Sequence, residues 1–408
     1  MNIRMDQLIR AIAAALDIVE EELLGASTHH GKRIAVLSVA MGRCFHMNDD
    51  LLSALATCAL FHDSALTEYI LAERDGHEPA FRLHCQSGQH NAESLLFNTD
   101  ISGFVLYHHE RADGGGPFGK KEGEYPREAG LIAAADLLDV THHFQRISLR
   151  DLADIRERIA GERGSCFTTD AAEALLQVLD EDMLASLRDD CILDTAQRLI
   201  PSWVADITDE AVLHIAALTA RIIDYKSVFT RYHSVQIANK TWLMGGYYGY
   251  DKSQRTEIYL AAALHDIGKL AIPQAILEKP GKLNNDEFMI IKDHARKTCD
   301  LLKGISGFET ICDTASAHHE KLDGTGYPFG KKAEDLDFNS RLLACIDIYQ
   351  AVSEARPYHE QRSHGETMPI LYDMAQRGFI DETIVKDLDA VMAPYSYRDV
   401  PPPDVMEI

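Results

Sequence analysis

Apolar positions along this chain recur at the period of an α-helix almost everywhere. Between Ala211 and Ile223 they fall at 212, 215, 216, 218, 222 and 223, the stripe of one helix face. Leu51 to Phe61 and Ile258 to Leu264 are apolar on most sides, which predicts helices buried all round. At the N-terminus a short apolar core, Ala11 to Leu16, is followed by Glu20, Glu21 and Glu22. That predicts an amphipathic helix rather than a secretory leader. Strand-type alternation is scarce, so the fold class expected is all-α. Residues 146–206 are charged and helix-prone, with a break at Pro201. They read as the end of a first domain plus a helical connector. The run Pro401-Pro402-Pro403 predicts a poorly ordered tail.

The helical pattern occurs twice. His30 stands 32 residues before His62-Asp63, and His233 stands 32 residues before His265-Asp266. Each early histidine is followed 12 residues later by a glycine, Gly42 or Gly245. His108-His109-Glu110 echoes His318-His319-Glu320, and Asp113 to Lys121 echoes Asp323 to Lys332. Asp113 to Asp136 is 23 positions and Asp323 to Asp347 is 24. The difference is Tyr327, which the first copy lacks. A chain of 408 residues is long for one core, and a duplicated domain accounts for the length.

Composition narrows the function. The formal charge of −24 argues against a binder of long nucleic acid, which needs a basic surface. It does not exclude a small anionic ligand, since bound cations reverse the field inside a pocket. No 18-residue apolar run is present, so no membrane span is expected. Eight cysteines without a Cys-x-x-Cys spacing predict reduced thiols and a cytoplasmic location.

The chemistry-bearing residues of the second copy are imidazoles beside carboxylates. His265-Asp266 and His318-His319 are of the type that holds iron, manganese or zinc. Paired metals are a recurrent device for hydrolysing phosphate esters. Gly324, Gly326 and Pro328 predict a tight turn that would position Tyr327.

Residues 210–390 resemble the HD-GYP family of cyclic-dinucleotide phosphodiesterases. The resemblance rests on His265-Asp266 with Lys269, on Pro273, on Lys279 to Leu283, and on the unbroken Gly326-Tyr327-Pro328. Arg341, Asp347 and Arg356-Pro357-Tyr358 extend it. It implies two tandem HD-type helical-bundle domains: a divergent copy at 1–145, a helical connector at 146–206 and a catalytic HD-GYP domain at 207–408. It implies seven metal ligands in the second copy: His233, His265, Asp266, His294, His318, His319 and Asp347. Asp266 would bridge two ions, with His233, His265 and Asp347 completing one and His294, His318 and His319 the other. Water activated between the two cations would attack phosphorus. Asp266 and Lys269 are the catalytic pair on this reading, and Lys269, Gly326, Tyr327 and Arg356 contact substrate. Family members with a third metal carry a glutamate where Phe229 stands, so two divalent ions are expected, iron or manganese first and zinc or nickel as alternatives. A second aspartate, common three residues after position 347, is replaced by Gln350.

The first copy retains a matching set: His30, His62, Asp63, His90, His108, His109 and Asp136. It has Leu66 where the second has Lys269, and Ala65 for Gly268. It is expected to bind metal without hydrolysing cyclic dinucleotides. The substrate expected for the second copy is cyclic di-GMP by default, with 3',3'-cyclic GMP-AMP as the other candidate. A mononucleotide phosphohydrolase and a non-catalytic, metal-loaded cyclic-dinucleotide regulator are the rival readings. The sequence leaves open a homodimer and packing of the two copies on each other.

Overall fold

The computed structural model describes residues 5–24, 28–66, 80–95, 99–201, 208–226, 232–279, 281–355 and 360–404. Phe229 and Arg356 to His359 lie outside the described residues, so the readings placed on them are neither met nor denied. The described residues contain helices and turns and no strand, as the apolar periodicity predicts. No described helix is long and apolar enough to cross a membrane. The chain divides into two compact units, residues 12–206 and residues 207–408 with 1–11.

Helix α1 (Met5–Leu24) buries Leu8, Ile9, Ile12 and Leu16 along one stripe, as expected of its amphipathic pattern. In the N-terminal unit, α2 (His30–Cys44) is the central helix. It packs on α3 (Asp49–Leu60) and α5 (Arg127–His142), while α4 (Ala80–Glu93) lies between them in sequence. Residues 146–206 supply α6 (Leu152–Gly161), α7 (Thr169–Val178), α8 (Glu181–Ser186) and α9 (Ile192–Leu199). This stretch, read above as the end of a first domain plus a helical connector, packs within the unit: α7 meets α2 and α5, and α9 meets α2. Its buried Ile155, Ile159, Leu175 and Ile192 are the reason.

The C-terminal unit repeats the plan. Helix α11 (His233–Tyr247) packs on α10 (Asp209–Tyr225), α12 (Lys252–Leu264) and, further along, α15 (Phe338–Ser353). Helix α13 (Asn285–Leu302) packs on α14 (Glu309–Ser316), and α16 (His364–Gln376) on α17 (Glu382–Met392). Asp251, Asn284 and Asp337 each accept a backbone N–H at 2.7–2.9 Å and so fix where α12, α13 and α15 begin. Helix α12 buries every residue from Ile258 to Leu264. Truncating Leu260 there costs about 2–5 kcal/mol.

The proline-rich C-terminus differs from its expectation. Val400 and Pro403 are buried, Asn239 donates to the Val400 carbonyl at 3.1 Å, and Lys240 donates to the Tyr397 carbonyl at 2.7 Å. Buried side-chain donors on α11 hold this backbone, a feature that composition does not reveal.

Candidate metal centre

Five local structures bring the ligands of the C-terminal unit together. His233 opens α11, and His265-Asp266 ends α12 where the chain tightens into the 3-10 turn Ile267–Ala271. His294 lies within α13, His318-His319 follow α14, and Asp347 lies within α15. Gly268 permits the close approach of α13: a Cβ there would stand 2.0 Å from the His294 carbonyl oxygen. Thr298 closes the same contact, accepting from the Gly268 N–H at 3.1 Å and donating to the His265 carbonyl at 2.9 Å.

Asp266, 1 % exposed, sits at the centre. Its two oxygens face different histidines. Oδ2 lies 3.1 Å from His265 Nε2 and 3.8 Å from His233 Nε2. Oδ1 lies 3.3 Å from His294 Nε2 and 3.8 Å from His318 Nε2. Asp347 faces His233 Nε2 at 3.3 Å and His319 Nδ1 at 3.5 Å. The groupings able to hold an ion are His233–His265–Asp347 and His294–His318–His319, with Asp266 also grouped with His265 and His318. All seven expected ligands of this copy therefore converge.

Three of the five histidines are oriented alike. His265, His294 and His318 donate Nδ1–H to the carbonyls of Ala262, Ile291 and Ala315 at 2.6–2.7 Å. Each Nε2 lone pair is thereby turned toward Asp266. His265 Nε2 and Asp266 Oδ1 are buried and make no hydrogen bond. Burial, joined by His294, pushes the His319 imidazole down to about 3 against the pull of Asp347. Burial also lowers His318, while His265 and Lys269 outweigh burial at Asp266 and hold its carboxyl well below the usual range. Imidazoles around carboxylates are a donor set that first-row divalent cations fit.

His233 is oriented by a residue the sequence reading missed. Glu354, 5 % exposed, accepts its Nδ1–H at 3.0 Å and accepts from Gln350 Nε2 at 2.6 Å. Burial alone would lower His233, but Glu354 and Asp347 outweigh it and hold it at about 10. In the N-terminal unit Asp139, three residues after Asp136, accepts from His30 Nδ1 at 2.6 Å and from Arg33 at 2.7 Å. Asp139 corresponds to Gln350, so the orienting carboxylate of the C-terminal unit stands one turn later.

Lys269, a fifth exposed, places its ammonium on Asp266 Oδ2 at the mouth of the site. The glycine-rich turn is tied to the histidines by Glu320, whose carboxylate accepts the N–H groups of Phe329, Gly330 and Lys331 at 2.7–3.1 Å. Gly326 leaves no room for a side chain, since a Cβ would lie 2.4 Å from the Lys321 nitrogen. Tyr327 lies beside His319, the rings tilted by 41° with centroids 4.7 Å apart, and Lys292 is 5.0 Å from the Tyr327 ring. Gly326, Tyr327 and Lys269 thus border the centre.

In the N-terminal unit His30, His62, Asp63, His108, His109 and Asp136 converge as expected, but His90 does not. His90 is exposed near the end of α4, and His84 takes its place, 2.9 Å from Asp63. The 22 positions from His62 to His84 are seven fewer than the 29 from His265 to His294, so equal spacing misassigned the ligand. A signal was present in Gly88. It stands four residues after His84, as Thr298 stands four after His294. Ala65 replaces Gly268, so the glycine has moved to the other side of the same close contact, and a Cβ at Gly88 would lie 3.2 Å from the His62 carbonyl oxygen.

Comparison with known proteins agrees with this architecture. The HD domain family model matches residues 217–384. The chain is similar, at 27% identity over 399 residues, to the 3'3'-cGAMP-specific phosphodiesterase 1 of Vibrio cholerae, covering 94% of this chain and 90% of that protein. It is 31% identical over 280 residues to the 3'3'-cGAMP-specific phosphodiesterase 3 of the same organism, covering 67% of this chain and 59% of that one. A cyclic di-GMP phosphodiesterase response regulator of Xanthomonas campestris is 34% identical over 188 residues, 46% of this chain and 49% of its own length. The fold is shared with the crystal structure of a cyclic GMP-AMP specific phosphodiesterase of Vibrio cholerae, with a TM-score of 0.65 and 22% identity across 96% of this chain and 97% of that one.

Proposed function

The chain belongs to the HD-GYP family, and from that membership we propose that its C-terminal unit is a metal-dependent phosphodiesterase that opens a cyclic dinucleotide. On this reading the catalytic copy is 207–408 and the divergent copy 1–145, with 146–206 the helical segment between them. The observation that carries the reading is the sharing of Asp266 between two ligand triads, with Lys269 on the same carboxylate at the mouth. Two divalent ions held there, iron or manganese, would neutralise a phosphodiester and acidify water. Asp266 offers one oxygen to each triad and so fixes their spacing. Lys269 offers a point charge to a non-bridging phosphoryl oxygen, where negative charge builds up. Tyr327 and the Gly326 turn form a wall against which a substrate base can lie.

Cyclic di-GMP and 3',3'-cyclic GMP-AMP remain the two candidates. The match that spans 94% of this chain is to a protein named for cyclic GMP-AMP, whereas that to the Xanthomonas cyclic di-GMP enzyme spans 46%. That difference favours the mixed dinucleotide. The test is to load the purified chain with manganese or ferrous iron, supply each dinucleotide, and separate the products. Linear dinucleotide or mononucleotide is expected. Absence of product from both, with metal bound, would leave the regulator reading standing.

A further inference from the structure

The family model covers 217–384 and leaves the N-terminal unit without an assignment. We propose that this unit holds its own pair of divalent transition-metal ions, bound by His30, His62, Asp63, His84, His108, His109 and Asp136. The contacts parallel those of the other centre. His30 Nε2 is 3.2 Å from Asp136 and His62 Nε2 3.4 Å from Asp63, as His233 and His265 are from Asp347 and Asp266. His84 Nε2 lies 2.9 Å and His108 Nε2 3.8 Å from the other Asp63 oxygen, in the roles of His294 and His318. His109 Nδ1 lies 3.9 Å from Asp136, in the role of His319.

The orienting contacts persist too. His62 and His108 donate Nδ1–H to the carbonyls of Ala59 and Val105, and His30 donates to Asp139. These donations leave Nε2 of His62 and of His108 pointing inward. Both rings are wholly buried, and neither Nε2 makes a hydrogen bond. A histidine kept only for packing leaves no reason for such an arrangement, since a buried nitrogen without a partner costs about 1–3 kcal/mol. Two of them within one knot of rings, 5.3 Å apart by centroid, imply a cation between. Five imidazoles and two carboxylates select a first-row transition metal over magnesium or calcium, which take oxygen ligands.

One difference makes this site a holder of metal rather than a copy of the other. At the position of Lys269 stands Leu66, which is buried. No ammonium at that position competes with a cation for Asp63, and none awaits a phosphoryl oxygen. The aromatic cover is also rebuilt. Phe81, from α4, meets the His109 ring edge-on at 5.4 Å, where Tyr327 lies against His319.

The experiment uses the full chain carrying Asp266→Ala, loaded with manganese or ferrous iron and desalted, with metal counted by elemental analysis. Wild type should hold about four ions and the variant about two. In that background His84→Ala should release the remaining metal and His90→Ala should not. A folded Asp266→Ala chain without metal would overturn the proposal, as would release by His90→Ala alone. Should Asp266→Ala fail to fold, anomalous diffraction from wild-type crystals decides. A peak about 2.0–2.2 Å from the His84 and His108 nitrogens is expected, and its absence refutes the site. Failure of hydrolysis in the C-terminal unit would leave this count unchanged, so the two readings fail separately.

Discussion

Glu354 is the perturbation that tests most of the site at once. It is buried and accepts hydrogen bonds from His233 Nδ1 and Gln350 Nε2. Glu354→Ala strands both donors away from water. Each stranded group costs about 1–3 kcal/mol, and the His233 ring loses the contact that sets its tautomer. Partners of this kind change metal affinity or activity by about 10–100-fold. The expected result is therefore an easier loss of metal to a chelator and a fall in turnover of that size, with the fold retained by circular dichroism. The N-terminal unit supplies the rescue. There the carboxylate is Asp139, three residues after Asp136 rather than seven. Gln350→Asp combined with Glu354→Ser rebuilds that geometry and should recover much of the loss. Unchanged metal retention and turnover in Glu354→Ala would show that His233 needs no orienting carboxylate, and the reasoning would fail.

Three further outcomes follow from particular contacts. Lys269→Ala should keep both ions in the C-terminal unit, by elemental analysis, while turnover falls about 10²-fold, because only charge aimed at the phosphoryl group is removed; full activity would remove Lys269 from the mechanism. Gly326→Ala puts a Cβ 2.4 Å from the Lys321 nitrogen and should cost about 1–3 kcal/mol in thermal unfolding while moving Tyr327 off His319; an unchanged melting temperature contradicts the crowding. Lys240 is fully buried, and burial lowers its pKa from the ordinary 10.5 to about 7 despite Glu354 and Asp399. Between those values the unfolded chain holds a proton that the folded chain lacks, so this residue makes stability rise with pH from about 7 toward 10.5 and adds no slope below 7. Urea unfolding at pH 7 and 9.5 should show that slope flattened in Lys240→Met, and an identical slope would place the lysine's charge elsewhere.

What could be read from the sequence divides along physical lines. Burial patterns were legible because apolar period is local: Leu51 to Leu60 and Ile258 to Leu264 lie in the helices Asp49–Leu60 and Lys252–Leu264, and Phe61 caps the first. The ligands adjacent to a fixed motif were legible for the same reason. His265-Asp266 and His318-His319 carry their geometry with them, and His30 and His233 are tied to them by helices whose lengths agree between copies. His84 was hidden because the chain between two rigid parts is free to shorten, and counting from His62 cannot detect where the shortening falls. Glu354 was hidden because its partner is 121 residues away and it displaces the expected carboxylate by one helical turn, a shift that keeps the face and changes the register. In both cases a neighbouring substitution carried the information. Gly88 and Ala65 exchange bulk across one backbone contact, and Gln350 yields its acidic role to Glu354. Read singly, each of these residues is a departure from pattern. Read as pairs, they conserve a volume in one case and a carboxylate in the other, and those are the quantities the metal ligands require to stay aimed at Asp63 and Asp266.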